Sequence, residues 1–136
     1  MLTFCVAGVV LVGCRLVRRK LDRPDRPERT CAGDRVRLKT LWNRGAAFGL
    51  PVKPRVVQVW SAAALALLWT LRKAHPVSVG LILGGGLSNL WERLRHGQVL
   101  DYLQFPKAPG RLKRYVYNLA DLAIFLGGLG LLWKKK

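Results

Sequence analysis

Two aspartates stand in apolar stretches of the second half of the sequence. Asp101 lies in QVLDYLQF and Asp121 lies in YVYNLADLAIFLGGLGLLW. Two carboxyl groups in surroundings of low dielectric constant cannot comfortably both ionise, so such a pair shares a proton. The charged member can then take a proton from water while the protonated member donates towards a peptide carbonyl oxygen. The two aspartates are therefore candidates for the catalytic pair of an aspartic peptidase.

Asparagines precede two of the acids at the same interval. SNLWERL and YNLADLA each place an amide three residues before a carboxyl group. Residues i and i+3 share a helix face, so we expect Asn89 to reach Glu92 and Asn118 to reach Asp121. Amides that donate to carboxylates would fix their orientation.

A structural role is the alternative for Asp121. Acidic residues in apolar helices are usually functional or paired with a cation, and Arg93 or Arg95 could neutralise this one. In that case the chain would be a non-catalytic or divergent multi-pass membrane protein whose buried acids pair with arginine. The residue pattern alone leaves both possibilities open.

Four apolar runs must position these residues. The chain has 136 residues, of which 51% are hydrophobic, and its charge is confined between the runs. Tryptophan, tyrosine and basic residues near the run ends are typical of membrane interfaces. We predict a mainly α membrane protein with four transmembrane helices in a single domain, 1–136, and the helices near 1–17, 56–71, 76–94 and 115–133.

The segment LDRPDRPERT in the first loop is polar and interrupted by proline, so it is expected to be irregular. Alternating basic and apolar residues in RVRLKTLW, 35–42, predict a short strand, followed by a turn or second strand around Gly45 to Phe48. Residues 95–114 are predicted to form a second loop.

The net charge of +17 could indicate binding to nucleic acid. The basic residues are concentrated in the two large loops, however, and there they favour an anionic membrane surface. By the positive-inside rule these loops would lie in the cytoplasm. Three cysteines without a CxxC pair indicate neither a disulfide framework nor a zinc site.

Three segments carry a more specific signal. They are NRGAAFGL (43–50), GGGLSNLWERLRHGQVLDYLQF (84–105) and YNLADLAIFLG (117–127). In this order and spacing they resemble the motifs of lipoprotein signal peptidase, also called signal peptidase II. The resemblance covers about residues 35–133. It implies a four-helix intramembrane aspartic protease with a small β-structured cradle, here 18–55, on the extracytoplasmic surface.

The resemblance also implies roles and partners. The enzyme would cut signal peptides from lipid-modified prolipoproteins before the diacylglyceryl-cysteine, as a monomer in contact with membrane phospholipid, without nucleic acid, metal or cofactor. It would lie in the bacterial cytoplasmic (inner) membrane with both termini cytoplasmic and the active site near the extracytoplasmic face. Asp101 and Asp121 would be catalytic, and the orienting or substrate-binding residues would be Asn43, Gly45, Phe48, Asn89, Glu92, Arg93 and Asn118.

The chain departs from this family pattern at three places, of which one is a basic, Pro-rich segment of its own in the first loop. The motif of the third helix usually has aspartate where this chain has Glu92. The first helix usually ends with an aspartate and, four residues on, a lysine. The corresponding region here is CRLVR, 14–18, in which Arg18 could replace the lysine and the acid is absent.

Overall fold

The computed structural model describes residues 1–23, 26–45 and 50–133. In chain order the elements are α1 (Leu2–Leu21), β1 (Arg29–Cys31), β2 (Val36–Asn43), α2 (Pro54–Trp69), α3 (Pro76–His96), β3 (Val99–Gln104), a 3-10 turn (Leu112–Arg114), β4 (Val116–Tyr117) and α4 (Leu119–Leu132). Proline at the start of α2 and α3 suits the first helical turn, where no amide hydrogen is needed.

Helix α3 is the centre of the bundle and contacts the three other helices. Its glycines make these close approaches possible. A Cβ atom at Gly84 would lie 2.7 Å from the Cβ of Val10 in α1, and one at Gly85 would lie 2.5 Å from the carbonyl oxygen of Ala120 in α4. The tight packing at Gly85 fixes the start of α4 against α3.

Both ends of the described chain lie at one end of the bundle. Gly80 of α3 contacts Thr3 and Gly84 contacts Ala7, so α1 and α3 run parallel. Gly85 contacts Ala120, whereas Ser78, earlier in α3, contacts Gly130, later in α4. Helix α4 therefore runs antiparallel to α3. The last turns of α1 and α3 and the first turn of α4 meet at the opposite end, beside the sheet.

The four strands form one antiparallel sheet in the order β1-β2-β3-β4. Strand β3 is buried along VLDY. Leu100 and Tyr102 pack against Leu21 at the end of α1. Because side chains alternate along a strand, Asp101 points to the opposite face. The sheet thus presents one carboxylate towards the start of α4.

The mainly helical fold with a small β-structure agrees with the prediction, and β2 covers the predicted strand almost entirely. Two local predictions were wrong. Residues 95–114 contain β3, and 115–118 are not helical because β4 and an N-terminal cap precede α4. The sequence did not indicate β3, because its first four residues are all buried and so show no regular alternation of polar and apolar side chains. The single domain and the transmembrane nature of the helices remain predictions.

The helices are short or interrupted by charge when judged as membrane spans. Over residues 1–23, 26–45 and 50–133, none combines the length and hydropathy needed to cross a bilayer.

Candidate functional site

Asp121 is held by the cap of its own helix. Asn118 is the N-cap residue of α4, and its side-chain oxygen accepts a hydrogen bond of 2.9 Å from the Asp121 backbone N–H. The Asn118 backbone N–H in turn donates to Oδ2 of Asp121 at 3.0 Å. This reciprocal capping box satisfies two backbone donors of the first turn. The expected pairing of Asn118 with Asp121 occurs, but it is a cap rather than a contact along a helix face.

Asp101 projects from β3 into the same region. Its Oδ1 accepts from Nδ2 of Asn118 at 2.9 Å, and its Oδ2 accepts from Nδ2 of Asn43 at 3.1 Å. Asn43 is fixed in turn, because its Oδ1 accepts from the backbone N–H of Gly45 at 2.9 Å. Only 3% of the Asp101 surface is exposed. The carboxylate is therefore buried but fully oriented by amide donors.

Asn118 and Asn89 join the two carboxylates. Nδ2 of Asn118 donates to Oδ1 of Asn89 at 3.0 Å as well as to Asp101. Nδ2 of Asn89 donates to Oδ1 of Asp121 at 3.0 Å. Each of the four carboxylate oxygens consequently accepts one N–H from a fixed amide group. A proton held by the pair has to occupy one of the lone pairs that these amides leave unused.

Burial and mutual repulsion make ionisation of Asp101 costly. Desolvation is the larger effect and the charge of Asp121 adds to it, so that the pKa of Asp101 is raised from 3.8 to about 7. Hydrogen bonds from Asn43 and Asn118 and the charge of Arg93 oppose this rise. A carboxyl group with such a pKa can exchange a proton near neutral pH.

Tyr102, which the sequence did not single out, connects the two halves of the site. Its hydroxyl oxygen accepts a hydrogen bond of 3.0 Å from the backbone N–H of Leu119, the first residue of α4. Burial raises the pKa of Tyr102 to about 12, so the phenol stays neutral. The residue after Asp101 thereby holds the helix that carries Asp121.

Glu92 lies beside this site, and among the described residues no hydrogen bond joins it to Asn89. One carboxylate oxygen lies 3.3 Å from Nε of Arg18, and the other accepts a hydrogen bond of 3.1 Å from the backbone N–H of Leu100. The predicted pairing of Asn89 with Glu92 was wrong, because Asn89 faces α4 whereas Glu92 faces α1 and β3. Arg18 also reaches Asp22 at 3.4 Å. Glu92 thus ties the end of α1 to the residue before Asp101.

Arg93 contacts the segment that follows β2. Its Nη2 donates to the carbonyl oxygen of Gly45 at 3.2 Å. A Cβ atom at Gly45 would lie 2.6 Å from the carbonyl oxygen of Leu50, so the two ends of the intervening segment meet there. Phe48 of the predicted substrate-binding set, with Ala46 and Ala47, lies outside the described residues.

Neither aspartate forms an ion pair with a basic side chain in the described ranges, whose ion pairs involve other acids. Arg95 is exposed. Within the same part of the chain, no group of three or more His, Cys, Asp or Glu residues could hold a metal ion. Two buried carboxyl groups joined by the hydrogen bonds of Asn89 and Asn118 are groups of the kind that take part in acid–base chemistry.

Comparison with known proteins shows which protein family the chain matches. Residues 7–135 match the family model described as signal peptidase (SPase) II. The chain is 37% identical over 107 residues to a lipoprotein signal peptidase of Azoarcus sp. (strain BH72), covering 71% of this chain and 60% of that protein. It is 40% identical over 104 residues to that of Pelotomaculum thermopropionicum, covering 71% of this chain and 64% of that protein. The chain thus spans less than two thirds of the length of these relatives.

A solved structure shares the fold. A bacterial membrane enzyme determined by the in meso method at 2.3 Å resolution superimposes with a TM-score of 0.82 at 17% identity, over 96% of this chain and 84% of that one. At this level of identity the likeness concerns the fold alone.

Proposed function

The chain belongs to the signal peptidase II family, and from that premise we propose that it is an aspartic endopeptidase acting on lipid-modified prolipoproteins. It cuts the signal peptide before the diacylglyceryl-cysteine. Asp101 and Asp121 form the catalytic pair. The single observation that carries this assignment is that Asn118 contacts both carboxylates, because its side-chain amide donates to Asp101 and its backbone N–H donates to Asp121.

The proposed reaction needs one proton shared by the pair. The ionised carboxylate takes a proton from a water molecule, whose oxygen attacks the scissile carbonyl carbon. The protonated carboxyl group donates its proton to the carbonyl oxygen, and proton return to the leaving nitrogen accompanies breakage of the C–N bond. The raised pKa of Asp101 supports a shared proton at neutral pH.

The other residues orient the pair. Asn43, Asn89 and Asn118 donate amide hydrogens to the carboxylates. Glu92 holds β3, and Arg93 holds the carbonyl of Gly45. We assign substrate contact to Gly45, because its backbone N–H donates to Asn43, which donates in turn to Asp101, and we assign it to Phe48 from the family resemblance alone.

A bilayer is the proposed environment. Large apolar side chains are exposed on the outer sides of the helices, among them Val9 (74%), Trp60 (72%) and Phe125 (64%). Soluble monomers rarely expose such extended apolar surface, whereas short helices can be accommodated in a bilayer by local thinning and snorkelling. We assign the end with both chain termini to the cytoplasmic side and the sheet to the extracytoplasmic side.

The structural alternative receives less support. If the aspartates only neutralised arginine, a guanidinium should form an ion pair with one of them. Arg93 is near enough for its charge to act on Asp101, but it donates to a backbone carbonyl, and neither aspartate has an ion pair among the described residues. Binding to nucleic acid is also disfavoured by the exposed apolar helix surfaces.

The test is cleavage of a lipidated prolipoprotein by purified protein reconstituted in phospholipid. We expect wild-type protein to release the signal peptide, and Asp101→Asn and Asp121→Asn to lose this activity while remaining folded. Asp34→Asn, which changes an exposed acid, is the matched control and should stay active. Full cleavage by either site variant would refute the pair.

A further inference from the structure

A groove between α1 and α3 lies outside the candidate active site. It has a volume of about 250 Å³ and is lined by Cys5, Val6, Val9, Val10 and Leu81. Cys5 and Val9 are exposed, so the groove opens to the side of the bundle. Its lining is apolar and suits a hydrocarbon chain.

The same side of α1 ends in cations. Val9, Gly13, Leu16 and Lys20 follow one another at intervals of four, three and four residues and therefore form a single stripe along the helix. Arg19 adjoins this stripe, and both cations are exposed.

These cations are available to a ligand. Among the ion pairs of the described residues, none involves Arg19 or Lys20, whereas Arg18 turns inward to Glu92 and Asp22. Asp22 is thus already paired and does not neutralise its neighbours. The apolar groove and two exposed cations, which form no ion pair among the described residues, therefore lie on one side of α1.

We propose that this face binds a phospholipid with an anionic headgroup. One acyl chain occupies the groove, and the phosphate lies at Arg19 and Lys20. Val10 lines the groove at its end nearer the cations and lies about 15 Å before Lys20 along the helix, and Cys5 lies about 22 Å before it. The shorter distance is half of the ~30 Å hydrocarbon core, so an acyl chain whose phosphate lies at the cations reaches the groove with its terminal part.

The combination of features selects this occupant. Nucleic acid would use the cations but not the apolar groove, and a second copy of this chain would bring further positive charge to a protein with a net charge of +17. An anionic lipid complements both parts.

The experiment measures lipid retention by the full chain in detergent micelles. The micelles contain equal amounts of phosphatidylglycerol and phosphatidylcholine with identical acyl chains, and the lipid retained per protein is quantified after size exclusion. Wild-type protein should retain phosphatidylglycerol in roughly tenfold preference, given the attraction of about two surface cations. Arg19→Gln/Lys20→Gln should bring this ratio close to one. Arg111→Gln/Lys113→Gln, which removes two exposed cations elsewhere, should preserve it.

A second pair of variants tests the groove. Val9→Phe should fill it and reduce retention of both lipids, whereas Val12→Phe alters a side chain that is exposed on the same helix but does not line the groove and should have no such effect. Equal retention of the two lipids by wild-type protein, or the same loss in both double-charge variants, would overturn the proposal. Displacement of the lipid by glycerol phosphate at equal concentration would also overturn it. The same holds if Val9→Phe changes the mass of the protein assembly, because that would indicate that the groove is a contact between chains. Peptidase activity is not needed for these measurements, so their outcome is separate from that of the proposed function.

Discussion

The two aspartates reach the same site by different means. Asp121 is held by Asn118, three residues earlier in the chain, in the cap of α4. Asp101 depends on Asn43, which is 58 residues away, and on the backbone contact of Glu92 to Leu100. Asp121 is thus positioned mainly by a local motif, with one further hydrogen bond from Asn89 of α3, whereas Asp101 is positioned by the meeting of the sheet with the helices. Variants that affect one support but not the other should separate the two.

The largest effect is expected at Gly85, where α3 packs against the first turn of α4. A Cβ atom there would lie 2.5 Å from the carbonyl oxygen of Ala120, next to Asp121. Because overpacking costs about 1–3 kcal/mol or more, Gly85→Ala should lower the thermal midpoint strongly and abolish cleavage. Gly128→Ala in α4 places its methyl in open space and should be neutral or slightly stabilising. Equal thermal midpoints for the two variants would show that this contact does not fix α4.

Variants of Asn118 can separate its two roles, which are the N-cap of α4 and the bridging hydrogen bond that its side chain donates to Asp101. Asn118→Ser retains an oxygen for the Asp121 N–H but loses the donor to Asp101. We expect cleavage to fall about 100-fold with a small change in thermal midpoint. Asn118→Ala should lose activity and, because N-caps contribute about 1 kcal/mol, stability as well. If the serine variant cleaves at the wild-type rate, the bridge to Asp101 has no catalytic role.

Variants of Glu92 test whether its hydrogen bond to the backbone of Leu100 helps to position the neighbouring Asp101. Glu92→Ala leaves the buried Leu100 N–H without its acceptor, which costs about 1–3 kcal/mol, and kcat should fall roughly tenfold with little change in KM. Glu92→Gln keeps an acceptor while losing the ion pair with Arg18, and it should recover most of the activity. A glutamine variant as impaired as the alanine variant would assign the effect to the charge instead.

The last effect concerns pH and is expected on stability alone. The pKa of Asp101 is higher in the folded protein, about 7, than its ordinary value of 3.8, so the folded state binds more protons between these values. Its stability should therefore fall as pH rises through this window, by up to roughly 4 kcal/mol, which is on the order of ten degrees in the thermal midpoint. Asp101→Asn should flatten this dependence and Asp34→Asn should not. A wild-type midpoint that rises from pH 5 to 7 in parallel with that of Asp101→Asn would contradict the assignment.

The local half of the site could be predicted from sequence and the distant half only in part. The interval from Asn118 to Asp121 is a property of adjacent residues, so it indicated their contact correctly. The same interval failed for Asn89 and Glu92, because α3 packs against three helices and turns these residues towards different neighbours. The contact of Tyr102 with α4 depends on how the sheet meets the bundle, which no spacing reveals.

The departures at the end of α1 were visible in the sequence, but their consequence was not. Cys14, where the family has the aspartate, is buried. Arg18, one turn later, pairs with Glu92. The length of the glutamate side chain matters here, because it contacts both this arginine and the backbone of β3. Such a three-way contact requires the positions of α1, α3 and β3 together.

The most direct test of the catalytic pair is a double-mutant cycle on cleavage of a lipidated prolipoprotein. Rates are measured for Asp101→Asn, Asp121→Asn and the double variant, with folding checked by thermal melts. Two carboxyl groups that share one proton act as a unit, so each single variant should lose about 1,000-fold or more and the double variant no more than either. Losses that multiply in the double variant, or a single variant that cleaves at the wild-type rate, would contradict the pair.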